Sequence, residues 1–178
     1  MDTNLIWLAH LHAAGFSQKD LEKLSTSWYS FDMISQSMQS EKDVPTPWIT
    51  PERKNKICEK IKEIDRNLLE KAIHQYNIEI IIQENPLYPA RLKNLKDAPY
   101  LIYVRWNLEE KRLSLGIVWS RKNTLYGERI LEHIIPAIVV SGATIVSGWA
   151  YGIDTLSHEI ALKYGWYTIS VFWCWVDI

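Results

Sequence analysis

The stretch LGIVWSRKNTLYGERILEHIIPAIVVSGATIVSGWAYGIDTLSHEIALKYGWYTISVF, residues 115–172, decides the fold of this chain. It alternates between strand and helix patterns, with strands at 115–118, 143–147 and 167–172 and helices near 126–140 and 154–164. Strands joined through helices lie parallel in one sheet, so the pattern predicts an α/β fold. Pro136 stands inside the first of the two helices and predicts a kink or an early end there.

The chain before residue 76 carries apolar residues at helical spacing. Thr50 followed by Pro51 predicts the start of a long helix that ends near Ala72, because proline is favoured at the first helical position. The predicted apolar face of this helix consists of Ile57, Ile61, Ile64, Leu68 and Leu69. We therefore predict a small all-helical domain over residues 1–75.

After Gln75 the pattern changes from helical to strand-like. Runs of β-branched and aromatic residues at 77–82 and 99–104 are bounded by turn-forming residues, which is typical of strands. These two runs precede the alternating stretch. We therefore predict a second domain over residues 76–178, built around the parallel sheet.

Composition and the absence of several motifs exclude some classes of protein. The 178 residues are 47% hydrophobic and 23% charged with a formal net charge of −1, which is typical of a soluble globular protein. No apolar run approaches the eighteen or so residues of a membrane span, and the N-terminus lacks the basic region of a signal peptide. Cys58 and Cys174 have no metal-ligand spacing, and no Walker loop or GxGxxG motif is present. We expect a cytoplasmic protein without membrane contact, metal or cofactor.

Ligands of an open parallel sheet bind beyond the carboxyl ends of the strands, where three loops of this chain lie. The first loop begins with Trp119, Ser120, Arg121 and Lys122. It combines a hydroxyl group and two cations with the backbone N–H groups at the start of a helix. This combination predicts a site for an anion such as phosphate.

The second loop, SGWAYGID at 147–154, places small residues ahead of a helix, with Asp154 positioned to cap it. Asp154 and His158 are four residues apart and face the same way on a helix, which is compatible with acid–base chemistry. A helix cap beside a packed, hydrogen-bonded histidine is the favoured interpretation, because nothing is spaced to complete a catalytic set. Ser120 and Ser147 also lack the flanking pattern of a nucleophile elbow. We therefore predict no catalytic residues.

Tryptophan occupies positions in these loops that glycine would suit. The chain has nine tryptophans and seven glycines, and the loops carry Trp119, Trp149, Trp173 and Trp175. Glycine tolerates positive φ and lets a ligand approach the backbone, whereas tryptophan adds a Cβ atom and a bulky ring. A tight anion-binding loop rich in tryptophan therefore requires an explanation.

Five segments occur in the order found in one known family. They are YPARL at 88–92, RWNL at 105–108, VWSRKNTLYG at 118–127, SGWAYGIDTLSHEIAL at 147–162 and GWYTISVFWCWVD at 165–177. This chain resembles the DNA-processing protein A family, also called DprA or Smf. The resemblance implies a Rossmann-like sheet, incomplete here, preceded by a helical domain like a sterile alpha motif (SAM-like).

The resemblance also implies a function and a site. Family members are expected to bind single-stranded DNA without catalysis, to load the RecA recombinase during DNA uptake and recombination, and to form homodimers at full length. The residues implied in DNA binding are Trp119, Ser120, Arg121, Lys122, Tyr126, Gly127, Ser147, Gly148, Trp149 and Gly152. The residues implied as loop or cap elements are Asp154, His158, Trp173 and Trp175.

This chain departs from the family pattern systematically. Glycine is expected at Trp106, Trp119, Trp166, Trp173 and Trp175, and would be easily accommodated at Trp149. Random drift would bring in many residue types, so we hypothesise a gene from a lineage that reads UGA as glycine, translated here with UGA as tryptophan. Trp7, Trp28 and Trp48 are weaker candidates. The family also continues beyond the position of Ile178, so we expect a C-terminally truncated fragment.

Two alternatives remain open at this point. A nucleotide-processing enzyme of the lysine-decarboxylase-like Rossmann class would share the α/β pattern. Such an enzyme should show a PGGxGTxxE loop with a catalytic glutamate, and this chain has none. An inactive fragment or an interaction module is the other alternative, and the truncation favours it.

Overall fold

The computed structural model describes residues 2–40, 46–106, 108, 113–118 and 124–172. Contacts between residues divide the chain into two compact units, Met1–Trp106 and Asn107–Val176. The first unit consists of helices and an antiparallel strand pair, and the second is an α/β unit. None of the helices in the described ranges is long and apolar enough to cross a membrane.

Five helices form most of the first unit. They are α1 (Thr3–Ala13), α2 (Gln18–Ser25), α3 (Phe31–Gln39), α4 (Pro51–Glu63) and α5 (Arg66–Gln75). Ser17 begins α2 with a capping box, in which its side chain and that of Asp20 bond each other's backbone N–H groups. Thr50 caps α4 by accepting a hydrogen bond from the Arg53 N–H, as the Thr50–Pro51 pair predicts. The largest fully buried side chains of this unit include Phe16, Leu8, Leu11, Leu21, Ile34 and Ile61.

The long helix predicted from Thr50 to Ala72 is wrong, because two helices occupy this range. Ile64 leaves the helical region, with φ −89° and ψ 108°, and ends α4. The Asp65 carboxylate then accepts hydrogen bonds from the Asn67 and Leu68 N–H groups and begins α5. The break also removes Leu68 from the predicted apolar face, since 61% of its surface is exposed.

An antiparallel strand pair completes the first unit. The two strands are β1 (Ile78–Ile82) and β2 (Leu101–Arg105). The short helix α6 (Ala90–Lys93) lies between them in the chain. The Leu101 N–H donates to Oε1 of Gln18 at 3.0 Å, and the Tyr103 hydroxyl lies 3.0 Å from Nδ1 of His12. These bonds join β2 to α1 and α2, so this compact unit continues past the predicted domain boundary at residue 75.

Three parallel strands and two helices form the second unit. In chain order they are β3 (Ser114–Gly116), α7 (Leu125–Val140), β4 (Thr144–Ser147), α8 (Ile153–Lys163) and β5 (Thr168–Ser170). The strand order is β3-β4-β5, so the carboxyl ends of all three strands meet at one edge. This arrangement confirms the predicted α/β class. The core cluster contains Ile135, Val139, Ile145, Ile160 and Ala161.

Pro136 does not shorten α7, which continues to Val140. Proline removes the N–H group that would bond the carbonyl four residues earlier, here that of Glu132. Glu132 is exposed, so water can bind this carbonyl group instead. Ile135 and Val139, which flank the proline in sequence, keep their places in the core.

Candidate functional site

Ser147 ends β4 and ties all three strands together at their carboxyl edge. It is only 3% exposed. Its hydroxyl donates to the Ile117 carbonyl, just after β3, at 2.6 Å, and its carbonyl accepts from the Val171 N–H, just after β5, at 2.8 Å. The hydroxyl and carbonyl groups of Ser147 therefore fix the strand ends at the edge where the site is predicted.

The turn from β4 into α8 needs glycine at two positions. A Cβ atom added to Gly148 would lie 3.2 Å from Oδ2 of Asp154, a closer contact than side chains normally make. Gly152 has φ 95° and ψ −126°, a conformation that is essentially restricted to glycine. Gly152 is also the N-cap of α8, and no side chain caps this helix. The prediction that Asp154 caps α8 is therefore wrong.

Asp154 lies in the first turn of α8, where it is buried. Its negative charge is favourable there, because the N-terminus of a helix carries a partial positive charge. The carboxylate also packs against Gly148, on the preceding turn. Asp154 thus holds the turn against the helix.

His158 is fully buried and joins α8 to β5. Its Nδ1 atom lies 2.6 Å from the Thr168 hydroxyl oxygen, and this hydroxyl donates its own proton to the Ile145 carbonyl. The other ring nitrogen, Nε2, lies 3.3 Å from the Ser170 hydroxyl oxygen. Burial lowers the pKa of the imidazole, although the Ser147 backbone and the Asp154 charge act in the opposite direction. The structure thus shows a packed and hydrogen-bonded histidine, whose burial disfavours the charged form.

Two helices begin close together at this edge. A Cβ atom added to Gly127, in the first turn of α7, would lie 3.3 Å from Cδ1 of Ile153, the first residue of α8. Thr124 caps α7 by accepting from the Gly127 N–H at 3.2 Å. The absence of a side chain at Gly127 therefore lets the N-termini of α7 and α8 approach each other.

Aromatic side chains surround the helix N-termini. Tyr126 is 74% exposed and Tyr151 is 88% exposed. The Trp149 ring lies against the His158 ring, with their centroids 4.8 Å apart, and is 43% exposed. Exposed aromatic rings beside a polar turn can stack on flat ligands.

The C-terminal part of the chain matches a known protein family. A family model described as DNA recombination-mediator protein A matches residues 79–178. The chain belongs to this family. It is 33% identical over 102 residues to the DNA processing protein DprA of Bacillus subtilis, a match that covers 56% of this chain and 34% of that protein. It is 29% identical over 155 residues to the protein Smf of Borreliella burgdorferi, with 86% of this chain and 48% of that protein covered.

The fold also agrees with a solved structure of the family. The DNA processing protein A of Streptococcus pneumoniae superposes with a TM-score of 0.69 at 22% identity, covering all of this chain and 60% of that chain. The chain thus spans about half or less of the length of the two curated relatives named above. The resemblance to the DprA and Smf proteins is confirmed, and the match favours DNA processing over the nucleotide-processing alternative.

The described part of this DprA-family chain brings six of the predicted DNA-binding residues to one edge. They are Tyr126, Gly127, Ser147, Gly148, Trp149 and Gly152. The other four, Trp119, Ser120, Arg121 and Lys122, lie outside the described residues, as do Trp173 and Trp175. The residues at 119–123 connect Val118, after β3, to Thr124, the cap of α7.

Sequence reasoning missed Tyr151, Thr168 and Ser170 at this edge. Tyr151 precedes Gly152 in the turn, and an aromatic residue next to a glycine in a ligand-binding loop is the signal that could have identified it. Thr168 and Ser170 bond His158 from a neighbouring strand. Their role depends on how β5 lies beside α8, which no local pattern contains.

Proposed function

We propose that this chain is the single-stranded-DNA-binding part of a non-catalytic recombination mediator, and that DNA binds at the carboxyl edge of β3, β4 and β5. The close approach of the α7 and α8 N-termini at Gly127 and Ile153 carries the proposal. Both helix ends direct partial positive charge toward the same edge, and Gly152 places no side chain over the first N–H groups of α8. Such an arrangement suits the phosphates of a nucleic acid backbone.

The exposed rings of Tyr126 and Tyr151 add a second kind of contact. Bases of single-stranded DNA stack on aromatic side chains, whereas bases of a duplex are already stacked on each other. An edge with both phosphate-binding groups and exposed rings therefore favours a single strand over a duplex.

The non-catalytic part of the proposal is supported by His158. Both of its ring nitrogens lie within hydrogen-bond distance of hydroxyl groups of β5. A histidine held in this way does not present a nitrogen to a ligand at the edge. Asp154, its predicted partner in acid–base chemistry, packs against Gly148.

Loading of RecA, homodimer formation and a cytoplasmic location are proposed for the whole protein. They rest on membership of the family, because this chain covers only part of its relatives. Recombination mediators must hold single-stranded DNA where a recombinase assembles, so DNA binding at this edge is the activity to test first.

Substitution of Arg121 tests the proposed site. We expect Arg121→Ala to weaken binding to fluorescein-labelled oligo-dT by about tenfold to a hundredfold at low salt, because one charged phosphate contact contributes about 1.5–3 kcal/mol. The log–log salt dependence should become shallower by about 0.7, the value for one phosphate contact on a single strand. Fluorescence anisotropy titrations at several salt concentrations measure both quantities.

Lys163→Ala is the matched control, because it removes the same charge from the far end of α8, where Lys163 is exposed. We expect this variant to bind oligo-dT like the unchanged chain. Equal binding by the Arg121 and Lys163 variants would show that Arg121 does not bind phosphate and would refute a phosphate site in this loop.

A further inference from the structure

Two tryptophans have a backbone conformation that favours glycine. Three described residues other than glycine have positive φ, namely Asn77 at 51°, Trp106 at 69° and Trp149 at 59°. Asparagine visits this left-handed region routinely, because its short side chain bonds the local backbone. Tryptophan has no such compensation, since its Cβ atom crowds the backbone there.

Neither indole is buried deeply enough to explain the strained backbone. Trp106 is 75% exposed, and its ring contacts the guanidinium group of Arg105 at 4.6 Å. Trp149 is 43% exposed and lies on one side of His158. An exposed cation–π contact is weak, so the ring of Trp106 gives the fold little in return for the strain.

Other tryptophans of the chain differ from Trp106 and Trp149 in backbone conformation and in packing. Trp7 lies inside α1, where the Arg66 guanidinium group stands 4.6 Å from its ring. Trp166 stands where the family pattern has glycine, but it is not among the described residues with positive φ and it packs against the core cluster of the second unit. The strained backbone therefore separates Trp106 and Trp149 from tryptophans that contribute to packing.

We infer that positions 106 and 149 carry glycine in the natural protein, encoded by UGA codons that its organism reads as glycine. Glycine adopts positive φ without steric cost, which removes the strain at both positions. At position 149 it would also remove a partly exposed ring from the turn between β4 and α8. This second consequence rests on the proposed function, because an open turn lets a DNA strand approach the backbone.

The source gene and the native protein test the inference directly. We expect UGA at codons 106 and 149, and peptides of the native protein whose masses contain glycine at both positions. Codon 7 should be UGG, with tryptophan in the corresponding peptide. A UGG codon at 106 or 149, or a tryptophan mass at either position, would overturn the inference.

Paired substitutions test the backbone requirement in the chain as it stands. Trp106→Gly should unfold at a higher urea concentration than Trp106→Ala, since only glycine relieves positive φ. The order should reverse for Trp7→Gly and Trp7→Ala, because alanine is favoured inside a helix. If alanine is the more stable choice at position 106 as well, the backbone there does not require glycine.

Binding of oligo-dT separates this inference from the proposed function. Trp149→Gly should bind more tightly than Trp149→Ala and than the unsubstituted chain, because only glycine leaves the turn both relaxed and uncovered. Equal affinities in the three chains would refute the role of glycine in DNA access. Failure of all three chains to bind would count against the proposed function and against the role of glycine at position 149 in DNA access. The codons and peptide masses would still decide which residues stand at positions 106 and 149.

Discussion

At the scale of single residues, Gly148 shows how closely the turn is packed. The position does not need positive φ, but a Cβ atom would meet the buried Asp154 carboxylate at 3.2 Å. We expect Gly148→Ala to lower the free energy of unfolding by about 1 kcal/mol, because Asp154 must move within a packed first turn of α8. Urea denaturation followed by circular dichroism measures the change.

Gly116→Ala is the control for this substitution, since nothing lies within 4 Å of a Cβ atom at that position in β3. Alanine there should leave stability unchanged or raise it slightly, because it restricts the unfolded chain. Equal losses in the two variants would show that the contact with Asp154 is not the cause.

Part of the site could be predicted from the sequence. Small residues before α8 identified the turn, because glycine requirements are local properties of the backbone. The cap of α8 was assigned to Asp154, since a carboxylate near a helix start is the usual signal, whereas Gly152 occupies that place. The partners of His158 come from β5 and could not be read from spacing along α8.

At the scale of elements, Asp65 decides where one helix ends and the next begins. Its carboxylate accepts hydrogen bonds from Asn67 and Leu68, which would otherwise lack acceptors at the start of α5. We expect Asp65→Ala to cost about 1 kcal/mol of stability, the usual value for loss of an N-cap. Glu59→Ala removes the same charge from an exposed position of α4 and should have a much smaller effect in the same thermal unfolding assay.

An equally large loss of stability in the Glu59 variant would show that the lost charge, and not the lost cap, causes the effect.

The break between α4 and α5 could not be predicted from the spacing of apolar residues. Apolar residues continue at helical spacing from Ile57 through Ile64 to Leu69, so periodicity alone indicates one helix. The alternation over 115–172 was predicted correctly because each strand there is bounded by turn residues before the next helix begins.

At the scale of the whole molecule, both compact units contain buried histidines. The buried His10 and the half-buried His12 lie in the first unit, and the buried His158 lies in the second. Burial is the main cause that lowers the pKa of each imidazole below its ordinary value of 6.5. In the pH range below 6.5 the unfolded chain therefore binds more protons than the folded chain, and acidification favours unfolding.

We expect stability to be greatest above pH 6.5, to fall as the pH is lowered through that value, and to level off once the folded histidines are protonated too. The carboxylates with lowered pKa, Asp20 and Asp32, titrate below 3.8 and so do not contribute near pH 6. Urea denaturation at pH 7.5 and 5.5 should show lower midpoints at the acidic pH. His158→Gln removes one of the three groups and should reduce this difference, whereas an unchanged difference would mean that His158 does not contribute to the pH dependence.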